Sequence, residues 1–152
     1  MSPGVPWGAQ RRSATKGGTM GSKLSDLALT LLRIVTGFLF FCHGAQKILG
    51  WFVEPGSQRM ALVFPQIPWF AGMLELVGGA LILLGLLTRP VAFILSGEMA
   101  FAYFMAHAPK GPIPLLNHGE LAALYSFVFL FLAAHGGGPY SLDGAMRRRR
   151  RP

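Results

Sequence analysis

The chain has 152 residues, of which 52% are hydrophobic and only 13% charged, with a mean hydropathy of +0.46; one small soluble core could not hide that much apolar surface, so the composition points to a membrane protein. The formal net charge of +8 does not indicate nucleic acid, because five positive charges sit in the run 147–151 and removing it leaves +3. The basic residues lie mostly outside the apolar stretches, where they orient the chain and contact membrane lipids at about 1 kcal/mol per nearby charge.

Taken in chain order, residues 1–23 read as a disordered basic cytoplasmic tail, since Pro3, Pro6, Gly17, Gly18 and Gly21 interrupt any apolar period. A four-span membrane domain is expected over 24–144, followed by a second basic cytoplasmic tail over 145–152. The apolar runs 24–49, 69–87, 90–107 and 115–134 each allow about 18–25 helical residues, or roughly 27–38 Å, against a hydrocarbon thickness of about 30 Å. The expected fold is all-α, a polytopic membrane protein arranged as an antiparallel four-helix transmembrane bundle.

Ser25 or Asp26 is placed to cap the first span, and Arg33 to snorkel from it toward the cytoplasmic interface. The run is longer than the 7–15 residues of a signal-peptide core and is expected to be retained. Cys42 lies within it; a lone cysteine without a C-x-x-C pair argues against dithiol exchange and packs as a small hydrophobe. The loop 50–68, with Trp51, Phe52 and Phe64 among prolines, reads as an interfacial segment. Thr88-Arg89-Pro90 forms a very short turn between spans two and three, and Gly72, Gly78, Gly79, Gly85, Ala92 and Gly97 are expected to let those two helices approach closely. Pro109, Gly111, Pro112 and Pro114 enforce the second external turn, and the glycines 136–138 with Pro139 stop the last span. Asp143 reads as an ordinary polar interface residue. With Arg11, Arg12, Lys16 and Lys23 before span one, Arg89 between spans two and three, and the arginine run after span four, the positive-inside rule puts both termini in the cytoplasm.

These runs carry ionisable residues where lipid-spanning helices should avoid them: Arg33, His43, Lys47, Glu75, Glu98 and Glu120. A charge at mid-helix costs roughly 2.5–3.5 kcal/mol on insertion scales, so they should face one another, a ligand or a wet cavity. His43 and Lys47 are four residues apart and share a helix face in the external half. Glu75 lies about 9 Å below Trp69 and Glu120 about 7–8 Å below the start of span four, which gives them one depth. Asn117, three residues before Glu120, shares its face. His43, Lys47, Glu75, Glu120 and Asn117 are therefore the candidate ligand-binding or proton-relay residues. Arg33, roughly 21 Å below Lys47, and Glu98 are expected to form a separate lower polar region. The competing reading gives each acid an interhelical hydrogen bond or salt bridge and no ligand. No H-E-x-x-H, repeated E-x-x-H or cysteine cluster closes a metal site, and no flavin, iron–sulfur or haem motif is present in the sequence, so no intrinsic cofactor is expected.

Five strings, in order, carry a resemblance: Arg33-Ile34-Val35-Thr36-Gly37, His43-Gly44-Ala45-Gln46-Lys47, Glu75-Leu76-Val77-Gly78-Gly79, Gly85-Leu86-Leu87-Thr88-Arg89 and Gly138-Pro139-Tyr140-Ser141-Leu142-Asp143. From Leu32 to Asp143 the chain resembles the DoxX family of small integral membrane proteins. The resemblance implies four membrane helices in a bacterial cytoplasmic membrane and an association with respiratory, thiol, sulfur or quinone-linked redox systems. The function expected is that of a noncatalytic or accessory component of a redox system, binding a quinone or related aromatic ligand. The ring would lie among Phe40 and Phe41, with His43 or Lys47 bonding an oxygen and Glu75 or Glu120 relaying a proton; a redox enzyme subunit as partner would carry the electron-transfer cofactor. Two alternatives stay open. One is a small proton-coupled transporter, which with four spans requires a homo-oligomer. The other is a structural organiser of a membrane complex, which uses the glycine-rich faces and the basic tail as contact surfaces.

Overall fold

Apolar periodicity becomes helix throughout the residues described by the computed structural model, which are 18–53 and 66–149. Residues 1–17 of the expected N-terminal tail, Phe64 in the expected interfacial loop and residues 150–152 of the expected C-terminal tail lie outside them. The helices are α1 (Gly18–Leu49), α2 (Ile67–Leu84), α3 (Thr88–Ala102), α4 (Pro114–Asn117), α5 (Glu120–His135) and α6 (Leu142–Arg149); a π turn over Tyr103–His107 and a 3-10 turn over Ala108–Lys110 extend α3. Among the described residues, Met20–Leu49, Ile67–Leu84 and Thr88–Lys110 are long and apolar enough to cross a membrane, and Glu120–His135 is a shorter apolar helix. The chain is an all-α, polytopic membrane protein. Its many exposed large hydrophobic side chains, among them Leu31, Val35, Phe38, Phe93, Phe127 and Leu130, are what a lipid-facing surface requires.

The first helix is longer than expected. It begins at Gly18, so residues 18–23 are helical rather than tail, and Ser25 and Asp26 lie inside the helix instead of capping it. The Ser25 hydroxyl donates back to the Gly21 carbonyl (2.9 Å) and Thr30 to that of Asp26 (2.7 Å). Extending an established helix adds a hydrogen bond for each residue fixed, which favours elongation over a new boundary. The expected C-terminal tail is likewise helical in α6 as far as Arg149.

On α1 the buried positions Thr30, Arg33, Thr36, Gly37, Phe40, Gly44 and Ala45 recur every three or four residues and form one stripe. This stripe meets α2 backbone to backbone. A Cβ on Gly37 would lie 2.5 Å from the Leu83 nitrogen, and Cβ atoms on Gly44 and Gly79 would strike the backbones of Leu76 and Phe41. Rising numbers on α1 meet falling numbers on α2, so the pair is antiparallel. The closest glycine-mediated approach is thus between the first and second helices rather than the second and third. Gly78 does face α3 through the Leu95 side chain, but a Cβ on Gly97 would meet nothing within 4 Å.

Helices α3 and α5 are joined by a reciprocal pair: the Ser96 hydroxyl donates to the Ser126 carbonyl (2.8 Å), and the Ser126 hydroxyl to the Ser96 carbonyl (3.2 Å). The core lies where the two helix pairs meet, at Phe40, Ile82, Ala92, Leu95, Met99, Phe129 and Leu132. The Phe40 ring packs against Phe129 and Tyr125 with centroids 4.8 and 5.3 Å apart.

The run expected as span four is broken near its start. After the single turn α4, His118 takes the left-handed conformation (φ 58°), and α5 starts at Glu120. Asn117 dictates the break. Its Oδ1 accepts the Gly119 N–H (2.8 Å) and its Nδ2 donates to the Gly111 carbonyl (2.7 Å), a local alternative to continued helix that asparagine readily offers.

Candidate functional site

Buried polar groups collect in two places. At the end of the molecule where α2 turns into α3, Arg33 is only 2% exposed. Its Nη1 donates to the carbonyls of Ile82 (2.8 Å) and Leu83, and its Nη2 to that of Tyr140 (2.9 Å). Ile82 and Leu83 lie in the last turn of α2, where carbonyls run out of i+4 partners and the helix dipole is negative; that of Ile82 also accepts the Gly85 N–H (3.0 Å). The guanidinium is therefore a cap. Asp143 performs the mirror task for α3: Leu87 N–H donates to Oδ1 (2.9 Å) and Thr88 N–H to Oδ2 (2.8 Å), at the positive end of that dipole.

The chain between these caps is tightly fitted. Gly85 is left-handed (φ 70°), and a Cβ there would lie 2.5 Å from the Ser141 Cβ and 2.9 Å from Arg33 Nη1. The Asp143 N–H donates to the Gly85 carbonyl (2.9 Å). The Ser141 hydroxyl donates to the Gly138 carbonyl (2.6 Å) and accepts from the Gly144 N–H (3.0 Å). Arg33 thus neither snorkels nor meets Glu98, and the expected Arg33–Glu98 lower region does not form, because the carbonyls ending α2 occupy the guanidinium. Asp143 is a helix cap rather than an ordinary interface residue.

Toward the other end lies a cavity of about 460 Å³, lined by Phe40, His43 and Lys47 of α1, Glu75 of α2, Glu98 and Met99 of α3, His107 of the π turn and Tyr125 of α5, with further apolar side chains. Lys47 Nζ pairs with Glu75 Oε1 at 2.5 Å. The bridge spans the α1–α2 contact that Gly44 makes possible. Glu75 is 3% exposed, whereas the Lys47 side chain is 40% exposed. Glu75 Oε2 and both Glu98 carboxylate oxygens are shielded from solvent and accept no hydrogen bond from any described residue. His107 Nδ1 lies 3.0 Å from the Asn117 carbonyl. A carbonyl only accepts, so Nδ1 carries the hydrogen and, in the neutral ring, Nε2 is an acceptor. His43 stands edge-on to Tyr125 with centroids 6.3 Å apart.

Of the residues singled out in the sequence, the structure gathers His43, Lys47 and Glu75 around this cavity and adds Glu98 to them. Glu98 belongs here because α3 begins at Thr88 and its helical path continues to Lys110, which puts the acid about 15 Å along the segment, near its middle. Glu120 is not brought in: as the first residue of α5 it sits at an exposed helix start, not one and a half turns down a span. Asn117 is 1% exposed but holds the α4–α5 break and touches the cavity only through its carbonyl on His107. His107 and Tyr125 were not among the candidates. A tyrosine hydroxyl in the middle of an apolar run was the available signal for Tyr125. For His107 the signal lay in the π turn, a feature often found at functional sites and invisible in hydropathy. Apolar walls with ring-bearing side chains, an ammonium, two imidazoles and two carboxylates suit a flat apolar ligand with polar atoms at its edge, and provide groups able to exchange protons with it. Among the described residues, no three His, Cys, Asp or Glu side chains are grouped to hold a metal ion.

Comparison with known proteins places this geometry in context. The DoxX family model matches residues 28–108. A protein of Haemophilus influenzae, described only as uncharacterized, is 45% identical over 118 residues, covering 76% of this chain and 87% of that one. The inner membrane protein YqjF of Escherichia coli is 31% identical, covering 84% of this chain and 98% of its own length. A Bacillus subtilis protein named "Putative oxidoreductase CatD" is 28% identical, covering 80% of this chain and 89% of the relative. No solved structure matches the chain at a significant level.

Proposed function

The chain belongs to the DoxX family, and on that premise we propose that it is a noncatalytic, accessory component of a membrane redox system, holding a quinone or related aromatic ligand in the cavity between His43, Lys47, Glu75 and Glu98. The observation that carries this reading is the cavity itself: about 460 Å³, walled by Phe40, Met99 and Tyr125, with ionisable groups that lipid packing alone would not retain. The name of the Bacillus subtilis relative supports the redox association, and that of the Escherichia coli relative supports residence in a bacterial inner membrane. In this reading α1, α2, the α3 segment and α5 cross the bilayer as an antiparallel four-span domain over 24–144. Both termini are cytoplasmic, with the basic α6 against anionic lipid. A partner subunit supplies the electron-transfer cofactor, and association with further copies of the chain is compatible with the exposed apolar faces.

The test is ligand binding by the full-length protein in lipid nanodiscs, titrated with a short-chain benzoquinone and read by tryptophan fluorescence or calorimetry. Saturable binding weakened about tenfold by His43→Ala or Lys47→Ala is expected, the scale of one lost hydrogen bond to a charged or polar partner. Absence of saturable binding, or affinity unchanged in both variants, refutes the site.

A further inference from the structure

Resting on the ligand reading above, we infer that the cavity is built for the reduced, hydroxyl-bearing form of its aromatic ligand, a hydroquinone or phenol, in preference to the oxidised quinone. The argument is the balance of donors and acceptors around the cavity. The chief donor is on α1, the Lys47 ammonium, which keeps two N–H groups beyond its pairing with Glu75; the ring of His43 and the Tyr125 hydroxyl can each donate and accept. Acceptors come from the other helices: Glu75 Oε2, both oxygens of Glu98 and, with Nδ1 directed to the Asn117 carbonyl, Nε2 of His107. Three of those acceptors are carboxyl oxygens already removed from solvent without a hydrogen-bond partner among the described residues.

A quinone oxygen only accepts. It would be served by Lys47 or His43 and would leave Glu75 Oε2, the free oxygen of the carboxylate held by Lys47, without a donor. A phenolic hydroxyl does both, donating its hydrogen to a carboxylate while its lone pairs accept from the cationic side. Leaving buried acceptors unpaired is the costly outcome and pairing them the favourable one, so the hydroxyl-bearing ring gains an interaction that the quinone cannot make. Glu98 is central because neither of its oxygens is engaged, whereas Glu75 already has one committed to Lys47.

The experiment titrates the full-length protein in lipid nanodiscs, under anaerobic conditions, with three probes of one skeleton: a short-chain benzoquinol, the corresponding benzoquinone and the di-O-methyl ether of the quinol. The quinol is expected to bind at least about tenfold more tightly than either of the others, the ether having lost the donor but kept the ring. Glu98→Gln keeps the shape of the side chain while replacing one acceptor with an amide donor, and is expected to shrink or invert the quinol-to-quinone ratio; its thermal unfolding midpoint checks that the variant is folded. Equal affinity for quinol and quinone, or a ratio unchanged by Glu98→Gln in a folded variant, overturns the inference while leaving the ligand reading standing. If none of the three probes binds, both are overturned.

Discussion

At the Arg33 end of the molecule a buried cation is held by the protein itself, with both Nη groups on carbonyls of Ile82, Leu83 and Tyr140 and only Nε left without a partner among the described residues, whereas in the cavity Glu75 and Glu98 keep three shielded carboxyl oxygens that no described residue satisfies. Both regions bury charge in an apolar chain, and the difference lies in what the charge is used for. Arg33 and Asp143 complete helix ends that would otherwise expose unpaired backbone groups, and so convert two unfavourable burials into a lock for the α2–α3 turn. Glu98 completes no element of the fold. Polar groups that the fold consumes are structural, and those it leaves over at Glu75 and Glu98 are, in the function proposed above, the ones a ligand pairs with.

That division is broken most severely by removing the lock. Arg33→Ala is expected to destabilise the protein by about 3 kcal/mol, since it removes charge-assisted hydrogen bonds to the Ile82, Leu83 and Tyr140 carbonyls; unfolding in mild detergent, followed by circular dichroism, measures it. Next in size is Gly79→Val, whose side chain must push the α1 backbone at Phe41 aside; a loss of about 1–3 kcal/mol is expected, typical of overpacking, read from the same unfolding curves. Asp143→Asn retains one acceptor and loses the charge at the N-terminus of α3, for an expected cost of about 1 kcal/mol. The smallest stability effect belongs to the cavity: His43→Ala should change stability by less than about 1 kcal/mol, because the ring lies at an exposed position, while weakening ligand binding about tenfold. A His43 variant that unfolds as readily as Arg33→Ala would erase the contrast between the two regions.

The helical class and three ionisable cavity residues, His43, Lys47 and Glu75, were legible in the sequence, because hydropathy sets spans and the i, i+4 spacing of His43 and Lys47 sets a face. What was lost concerned where helices start. Glu120 was given the depth of Glu75 on the assumption that a span begins at Leu115, and the side-chain bonds of Asn117, which stop α4 and restart the chain at Glu120, carry no hydropathy signal. Glu98 was assigned to the wrong layer for a different reason: span 90–107 already put it near mid-depth, but it was paired with Arg33, whose guanidinium is taken by the carbonyls of Ile82, Leu83 and Tyr140. The pairing of Arg33 with carbonyls rather than with an acid could not be read either: Ile82 and Leu83 look like any other apolar residues, and only the Gly85 turn turns their carbonyls into acceptors. Gly37 and Gly44 were visible, but which helix they would face depended on the antiparallel packing of α1 on α2.

The most direct measurement is photocrosslinking of the full-length protein in native membranes with an aryl-azide benzoquinol, followed by mapping of the labelled peptides by mass spectrometry. Labelling is expected in the α1 segment containing Phe40 to Lys47 and in the α3 segment containing Glu98 to His107, competed by unlabelled quinol and lost in a His43→Ala, Lys47→Ala double variant. Competable labelling confined to the Arg33–Asp143 end, or none that the quinol competes, would contradict the assignment of the cavity as the ligand site.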